Sequence, residues 1–441
     1  MAVTLQKPAE QSTESTNGQA NIPPPPYLGR TVRIVGPVVN VDMNQSPHPK
    51  NQRGELGKPL FNWYHNTVSK DPLTRVSAPN HFADRRHFLS TIINQATKGK
   101  VNPRKMEVTD AAAMSRHIKA VARYMGADVV AVAQAHPSFL YAGSRYVQDG
   151  TAEDAYQETS PADLVKKFPY IIVATTAWDY NKLQAHRHLI GDAAYHVSQI
   201  KGNMILKALE GYIKELGYTA LRGVCTPQAA GVASGVGELG RNGLVINKTY
   251  GARIHMPDPI MTDLPLVADQ PVDNAVEDFC KICRKCANTC PTNSIPFGDK
   301  VVHNGIEKYK INWPTCYKLR PYVQDYWGSC LTCAAVCPFT KPNVWWHSLA
   351  TWSLRTCPIP ARPALVHALK WIDDRFWGVA RMNRVRWLGY DSGIKPGDQA
   401  CTVSGCNASH EGKGPAKEVA GSVGYYAPLK ENTIRFVKRD A

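Results

Sequence analysis

The sequence predicts an α/β (α+β) protein that carries a separate cysteine-bearing module. Two observations predict it. Between residues 107 and 247, helical patterns alternate with short apolar runs, as when helices pack on a sheet. Between 280 and 337, eight of the twelve cysteines gather into two spaced groups. A chain of 441 residues, 43% hydrophobic and 20% charged, is long enough for two or three domains with cores of their own. The cysteine groups occupy a small part of it, so the remainder must use whatever they bind.

The elements follow in order. Residues 1–28 are polar and end in Pro23-Pro24-Pro25-Pro26, which predicts a disordered or polyproline arm. Residues 29–104 predict an irregular, partly helical cap. Asp110 can cap a helix to about 124, with Ala111, Met114, Ile118, Val121 and Ala122 on one face and Gly126 ending it. Apolar runs at 128–133 and 170–175 predict buried strands. A long helix is expected at 192–216, stopped by Gly217, and further strands at 220–224 and 243–247. The domain reading is a catalytic core over 105–270, a cysteine module over 271–345 and an extension over 346–441.

Composition sets limits on class. No apolar run approaches the ~20 residues needed to span a bilayer. The N-terminus lacks the basic start and apolar core of a secretory signal. A cytoplasmic location is expected, or a membrane-associated periplasmic one if a leader was removed. Arg85-Arg86-His87-Phe88-Leu89 resembles a twin-arginine signature, but it lies far inside the chain and no apolar stretch follows, so it reads as a solvated helix start. The formal charge of +16 suits docking of an acidic electron donor, and no nucleic-acid motif is present, so no nucleic-acid partner is expected. Trp345, Trp346, Trp352, Trp371, Trp377 and Trp387 lie among Arg375, Arg381, Arg384 and Arg386. A basic, tryptophan-bearing helix can lie on a membrane surface, dock a partner or pack over a pocket. Cys225, Cys357, Cys401 and Cys406 read as buried or free thiols.

The cysteine spacing is specific. The first group is Cys280-x2-Cys283-x2-Cys286-x3-Cys290-Pro291. The second is Cys330-x2-Cys333-x3-Cys337-Pro338, with Cys316 upstream. The first run is the bacterial ferredoxin spacing, in which three cysteines hold one cubane and the fourth, before proline, ligates the other. This assigns Cys280, Cys283, Cys286 and Cys337 to one 4Fe–4S cluster, and Cys316, Cys330, Cys333 and Cys290 to a second. Structural zinc would favour paired C-x2-C units at longer separation.

A glycine block precedes the cysteines. Gly235-x-Gly237-x-x-Gly240 formally matches a dinucleotide fingerprint, which needs a strand before it and a helix after it. The small residues after Pro227 make a poor strand, and Leu244-Val245-Ile246 looks like a strand where a helix is required. Glycines here still let a backbone approach a large ligand. Gly237-Glu238-Leu239-Gly240-Arg241-Asn242-Gly243, Tyr250-Gly251-Ala252-Arg253 and Thr262-Asp263-Leu264-Pro265-Leu266, followed by ferredoxin-type cysteines, resemble the corrinoid-dependent reductive dehalogenases over about 105–345.

The resemblance implies a nitroreductase-like core holding a corrinoid base-off, beside a two-cluster ferredoxin-like module. It implies a small organohalide substrate and a low-potential donor such as a ferredoxin, flavodoxin or reductase, with peripheral membrane or membrane-anchor contact as an option. Gly235, Gly237, Glu238, Gly240, Arg241 and Asn242 become candidate cofactor contacts, although Glu238 and Arg241 also read as fixing the glycine loop. The family's catalytic tyrosine matches Tyr195, with Tyr212 second, and its basic partner matches Arg253. The plain alternatives are a core tyrosine and a surface ion pair. An asparagine that some members place near 220 is missing here. Replacing halogen by hydrogen takes two electrons and a proton. Tyrosine is a poor donor in water, and a fixed cation nearby favours its ionised form. Two other readings stay open: an epoxyqueuosine reductase-like tRNA-modifying enzyme, and a non-catalytic iron–sulfur electron-transfer subunit.

Overall fold

A computed structural model describes residues 26–58, 61, 100–142, 160–184, 186, 189–318 and 330–376. Arg85, Arg86, Trp377, Arg381, Arg384, Arg386, Trp387, Cys401 and Cys406 lie outside the described residues.

The core is an antiparallel sheet with helices on both faces. Its strands are β2 (Val129–Gln134), β3 (Tyr170–Ala177), β4 (Ala220–Arg222), β7 (Ile254–His255) and β8 (Ile260–Thr262). They run in the order β2-β3-β8-β4, with β7 pairing β3 beyond β8. Val129 sits opposite Thr175, and Tyr170 opposite both Gln134 and Thr262. The antiparallel pairing makes this the α+β form of the expected class.

Side chains alternate across the sheet, as a pleated backbone requires. Val130, Val132, Ile172, Ala174 and Ile260 face one core with α2 (Ala111–Tyr124) and α5 (Leu189–Glu215). Met114, Ile118 and Ala122 of α2 and Ile205, Leu206, Leu209 and Ile213 of α5 fill that layer at helical spacing. Ala131, Ala133, Ile171, Val173 and Met261 face the other core, with Phe139, Leu164 and α6 (Pro227–Ala233). Asp110 caps α2 as expected, its carboxylate accepting from the Ala112 and Ala113 N–H groups.

Three readings change. The long helix begins at Leu189 and ends at Glu215. The 243–247 strand is reduced to β6 (Val245–Ile246), paired with β5 (Glu238–Leu239). Strands β7 and β8 were not expected. Pro257 and Pro259 interrupt that stretch, so no period-2 run is visible, and long-range pairing with β3 and β4 creates the strands.

The cysteine module follows as α7 (Val276–Ile282), α8 (Lys285–Asn288), a hairpin of β9 (Val301–His303) and β10 (Ile306–Lys308), α9 (Trp313–Lys318) and α10 (Thr332–Ala335). Asn304 and Gly305, both at positive φ, make the hairpin turn. The N-terminal β1 (Arg33–Ile34) pairs with β10 and closes a three-stranded sheet. Helices α11 (Trp345–Thr356) and α12 (Arg362–Phe376) lie over the module, and Val366 and Leu354 enter its core with Phe279 and Phe339. Trp345 is 73% and Trp371 67% exposed. No helix among the described residues is long and apolar enough to cross a membrane.

Candidate functional site

The cysteines from distant segments sort into two electrostatic neighbourhoods. Cys286 lies within the charge influence of Cys280, Cys283 and Cys337. Cys333 lies within that of Cys316, Cys330 and Cys290, with Cys286 between the two sets. Cys337 thus lies near the first group and Cys290 near the second. Among the described residues no three His, Cys, Asp or Glu groups could hold a single metal ion. A cubane makes a different demand, because each of its four irons takes one thiolate.

The chain supplies donors to these sulfurs. The Arg241 and Ser294 N–H groups lie 3.5 and 3.3 Å from Cys280 and Cys290 Sγ. The Thr332 hydroxyl is 3.1 Å from Cys330 Sγ. Burial pushes the Cys280, Cys283, Cys286 and Cys333 thiols up, and Cys337 up to about 12. Iron binding must therefore displace protons. Eight clustered thiols with N–H and hydroxyl donors suit two iron–sulfur clusters.

Where side chains would project from the glycine block, protein stands in the way. A Cβ at Gly235 would lie 2.2 Å from Gln270 O, and one at Gly237 2.3 Å from Ile246 O. At Gly240 it would meet Ile246 Cδ1 at 2.5 Å and Asn242 Oδ1 at 2.9 Å. The strand that a dinucleotide site requires is replaced by helix α6, and β5 lies between Gly237 and Gly240 where a helix is required. Glu238 is buried and accepts the Asn274 and Val276 N–H groups at 2.6 and 3.3 Å. Burial pushes its carboxyl up to about 7, against the pull of those two bonds. Arg241 and Asn242 sit at the tip of the β5–β6 hairpin and turn toward the cysteine module. Asn242 Nδ2 donates to Cys333 O at 3.2 Å. Arg241 donates to the Cys280, Pro296 and Gly298 carbonyls at 2.7–3.0 Å.

Tyr195 lies on α5, one turn before the point where the helix is fastened to β3. There Thr176 Oγ1 donates to Ser198 O at 2.7 Å, and Ser198 Oγ to Thr176 O at 2.9 Å. Gly202 allows this approach, since a Cβ would meet Pro257 Cγ at 2.6 Å. The Tyr195 ring meets Trp178 and His255 edge on, with centroids 5.5 and 5.6 Å away. Arg253 is 7% exposed. It donates to Trp178 O at 2.6 Å and lies 5.0 Å over the Tyr250 ring. Burial lowers its pKa from the ordinary guanidinium value, and the neighbouring Tyr250 and Asp179 oppose that shift. Tyr195 and Arg253 thus meet through Trp178, with no direct bond between them among the described contacts. Tyr212, the second choice, instead lies 2.6 Å from His117 Nε2.

Trp178 and His255 are neighbours that sequence reasoning missed. Trp178 follows β3 directly and His255 ends β7, so their signal is a position at a strand end, visible only once the strands are known. Trp178 Nε1, Arg253 Nε and His196 Nδ1 are buried without a hydrogen-bond partner among the described residues. Buried polar groups are normally paired, so this neighbourhood is chemically suited to a ligand rich in polar groups, as the amide-fringed corrinoid ring is. Tyr195 also packs against the hydrophobic cluster that contains Cys283, Cys337 and Phe339. A separate cavity of about 270 Å³ opens beside Phe339, lined by Lys248, Phe279, Lys341 and Trp352. Neither Tyr195 nor Arg253 lines it.

A family model described as a 4Fe-4S dicluster domain matches residues 279–341, which take in all eight cysteines. The tetrachloroethene reductive dehalogenase of Sulfurospirillum multivorans is 28% identical over 279 residues, covering 56% of this chain and 54% of that protein. The enzyme of the same description from Dehalobacter restrictus is 26% identical over 329 residues, 65% and 55% of the two chains. Among solved structures, the catabolic reductive dehalogenase NpRdhA in complex with 3-bromo-4-hydroxybenzoic acid superposes with a TM-score of 0.63 at 22% identity. That match covers 80% of this chain and 50% of the other. The epoxyqueuosine reductase of Lactococcus garvieae is 26% identical over 169 residues, 37% of this chain. The chain spans about half the length of the dehalogenases it matches. Fold and site together define a mixed helix-and-sheet protein with a 4Fe–4S dicluster domain. Within that class, the chain is similar to reductive dehalogenases over a little more than half of its length, and it shares the fold of a solved member.

Proposed function

We propose that this chain is the catalytic part of a reductive dehalogenase, converting a carbon–halogen bond to a carbon–hydrogen bond with two electrons and one proton, and releasing halide. The observation that carries the reading is the packing of Tyr195 into the same hydrophobic cluster as Cys283 and Cys337. It sets a proton-bearing side chain beside an electron-carrying module. In this reading Cys280, Cys283, Cys286 and Cys337 hold one cluster, and Cys316, Cys330, Cys333 and Cys290 the other.

A corrinoid, bound base-off by a nitroreductase-like core, would supply the low-potential two-electron chemistry at carbon. The protein's tasks are positional. Trp178, Arg253 and His196 offer unpaired polar atoms to a ligand, and Trp178 and His255 hold the Tyr195 ring. Tyr195 Oη gives its proton to the carbon that loses halide, and Arg253, held by Trp178 O, steadies negative charge in a site shielded from water. A low-potential ferredoxin, flavodoxin or reductase feeds the module. The exposed tryptophans of α11 and α12 are suited to a peripheral membrane contact.

Metal analysis and halide release from a bromophenol panel test the reading. About eight irons and one cobalt per chain are expected, with bromide released under a low-potential reductant. Absence of cobalt after reconstitution overturns it. Reduction of epoxyqueuosine in tRNA, without halide release, transfers the chain to the other enzyme class.

A further inference from the structure

We infer that Arg241 is the internal counter-charge of the iron–sulfur cluster held by Cys280, Cys283, Cys286 and Cys337, and that it raises that cluster's reduction potential selectively. The inference rests on the dicluster part of the reading above and not on the halogen chemistry.

Arg241 is 1% exposed and is the bulkiest of the fully buried side chains. Its guanidinium donates to the Cys280 carbonyl through Nε at 3.0 Å and Nη2 at 2.9 Å. Nη1 donates to Pro296 O at 2.8 Å and Gly298 O at 2.7 Å. Its carbon lies 4.1 Å over the Tyr309 ring. Every one of these partners is neutral. Other buried or half-buried cations of this region have carboxylates: Lys285 has Asp373 and Asp374, Lys300 has Glu277, and Arg362 has Asp273 and Asp278. Arg241 has none among the described residues.

A guanidinium buried without opposite charge is strongly disfavoured. The charge facing it is sulfur. Its own backbone N–H points at Cys280 Sγ, while its guanidinium is held on the carbonyl of that same residue. Four thiolates around a cubane bring a net negative charge to this spot, which supplies the missing counter-ion. Reduction of the cluster adds one electron and no proton, so a fixed cation stabilises the reduced form more than the oxidised one. Asn242, the next residue, reaches the second group only through the neutral Cys333 carbonyl, so the second cluster receives no matching charge from the hairpin tip.

The test is a redox titration of the cluster-loaded protein followed by electron paramagnetic resonance, with iron content measured alongside. Arg241→Gln should lower one of the two midpoint potentials and leave the other in place. Arg241→Lys, which keeps the charge and loses the fork, should hold both potentials near those of the wild type. Unmoved potentials in a fully loaded Arg241→Gln protein overturn the inference, as does an equal drop in both variants. If Arg241→Gln retains no iron, Arg241→Lys decides. A loaded protein with unshifted potentials supports the counter-charge, and one that also loses its iron overturns it. None of these readouts involves halide release, so they stand apart from the fate of the dehalogenase reading.

Discussion

Around the cysteines, charged groups are tied down. Asp373 takes Lys285 and Lys341, Asp278 takes Arg30 and Arg362, and the Arg241 guanidinium meets three carbonyls. Around Tyr195 the bonding is sparse. Rings meet edge to edge, and Trp178 Nε1, Arg253 Nε and His196 Nδ1 have no hydrogen-bond partner among the described residues. The difference separates two tasks. The module must grip an anionic inorganic group in one geometry. In the proposed reading the Tyr195 neighbourhood must accept a large ligand and a substrate, which would satisfy its polar atoms.

The comparison can be broken first at a sulfur. Cys337→Ala should remove one cluster, so that iron falls from about eight to about four per chain. Iron analysis that still finds eight removes Cys337 from the ligand set. At the other region, Tyr195→Phe should reduce halide release by about 10²–10⁴-fold with iron and cobalt content unchanged. Normal turnover by that variant rules the tyrosine out as proton donor. Asp373→Asn leaves Lys285 and Lys341 short of counter-charge and should cost about 3–5 kcal/mol, read by denaturant unfolding of the loaded protein. A near-neutral result would show that Asp374 and the Cys337 environment compensate.

The smallest effect is a pH dependence. Burial raises the Glu238 carboxyl from 4.5 to about 7 in the folded protein. The folded state therefore holds this proton more tightly than the unfolded chain. Its stabilising share is full below about 4.5 and is lost as pH rises through about 7, amounting to at most about 3 kcal/mol. Glu238→Gln should flatten that slope in unfolding midpoints taken at several pH values. An identical slope in the variant assigns the dependence elsewhere.

Much of the architecture was legible because it is local. Asp110 and the Met114, Ile118 and Ala122 stripe announce α2, and the apolar runs at β2 and β3 stand out without long-range information. The cysteine spacing likewise carries its own grouping, and in the fold Cys337 lies near Cys286 and Cys290 near Cys333. Strands β7 and β8 were hidden because two or three residues between prolines have no period, and pairing alone makes them strands. The contacts of the glycine block were hidden for a related reason. A run of glycines signals close approach, but what approaches is set by the fold, and here it is Gln270, Ile246 and the cysteine module. Trp178 and His255 entered the site only through tertiary packing.

Gly251 shows how tightly the two regions constrain each other. At φ +60 its backbone lies against Phe339, where an added Cβ would come within 2.3 Å of the carbonyl oxygen, and the next residue, Ala252, donates to Thr340 Oγ1 at 3.0 Å. Phe339 is two positions from Cys337. Any side chain at 251 would shove the last thiol of a quartet off its mark while also disturbing the loop that carries Arg253. Neither lobe of this protein can drift in shape alone, and a designer who transplants one into another scaffold must carry this seam along.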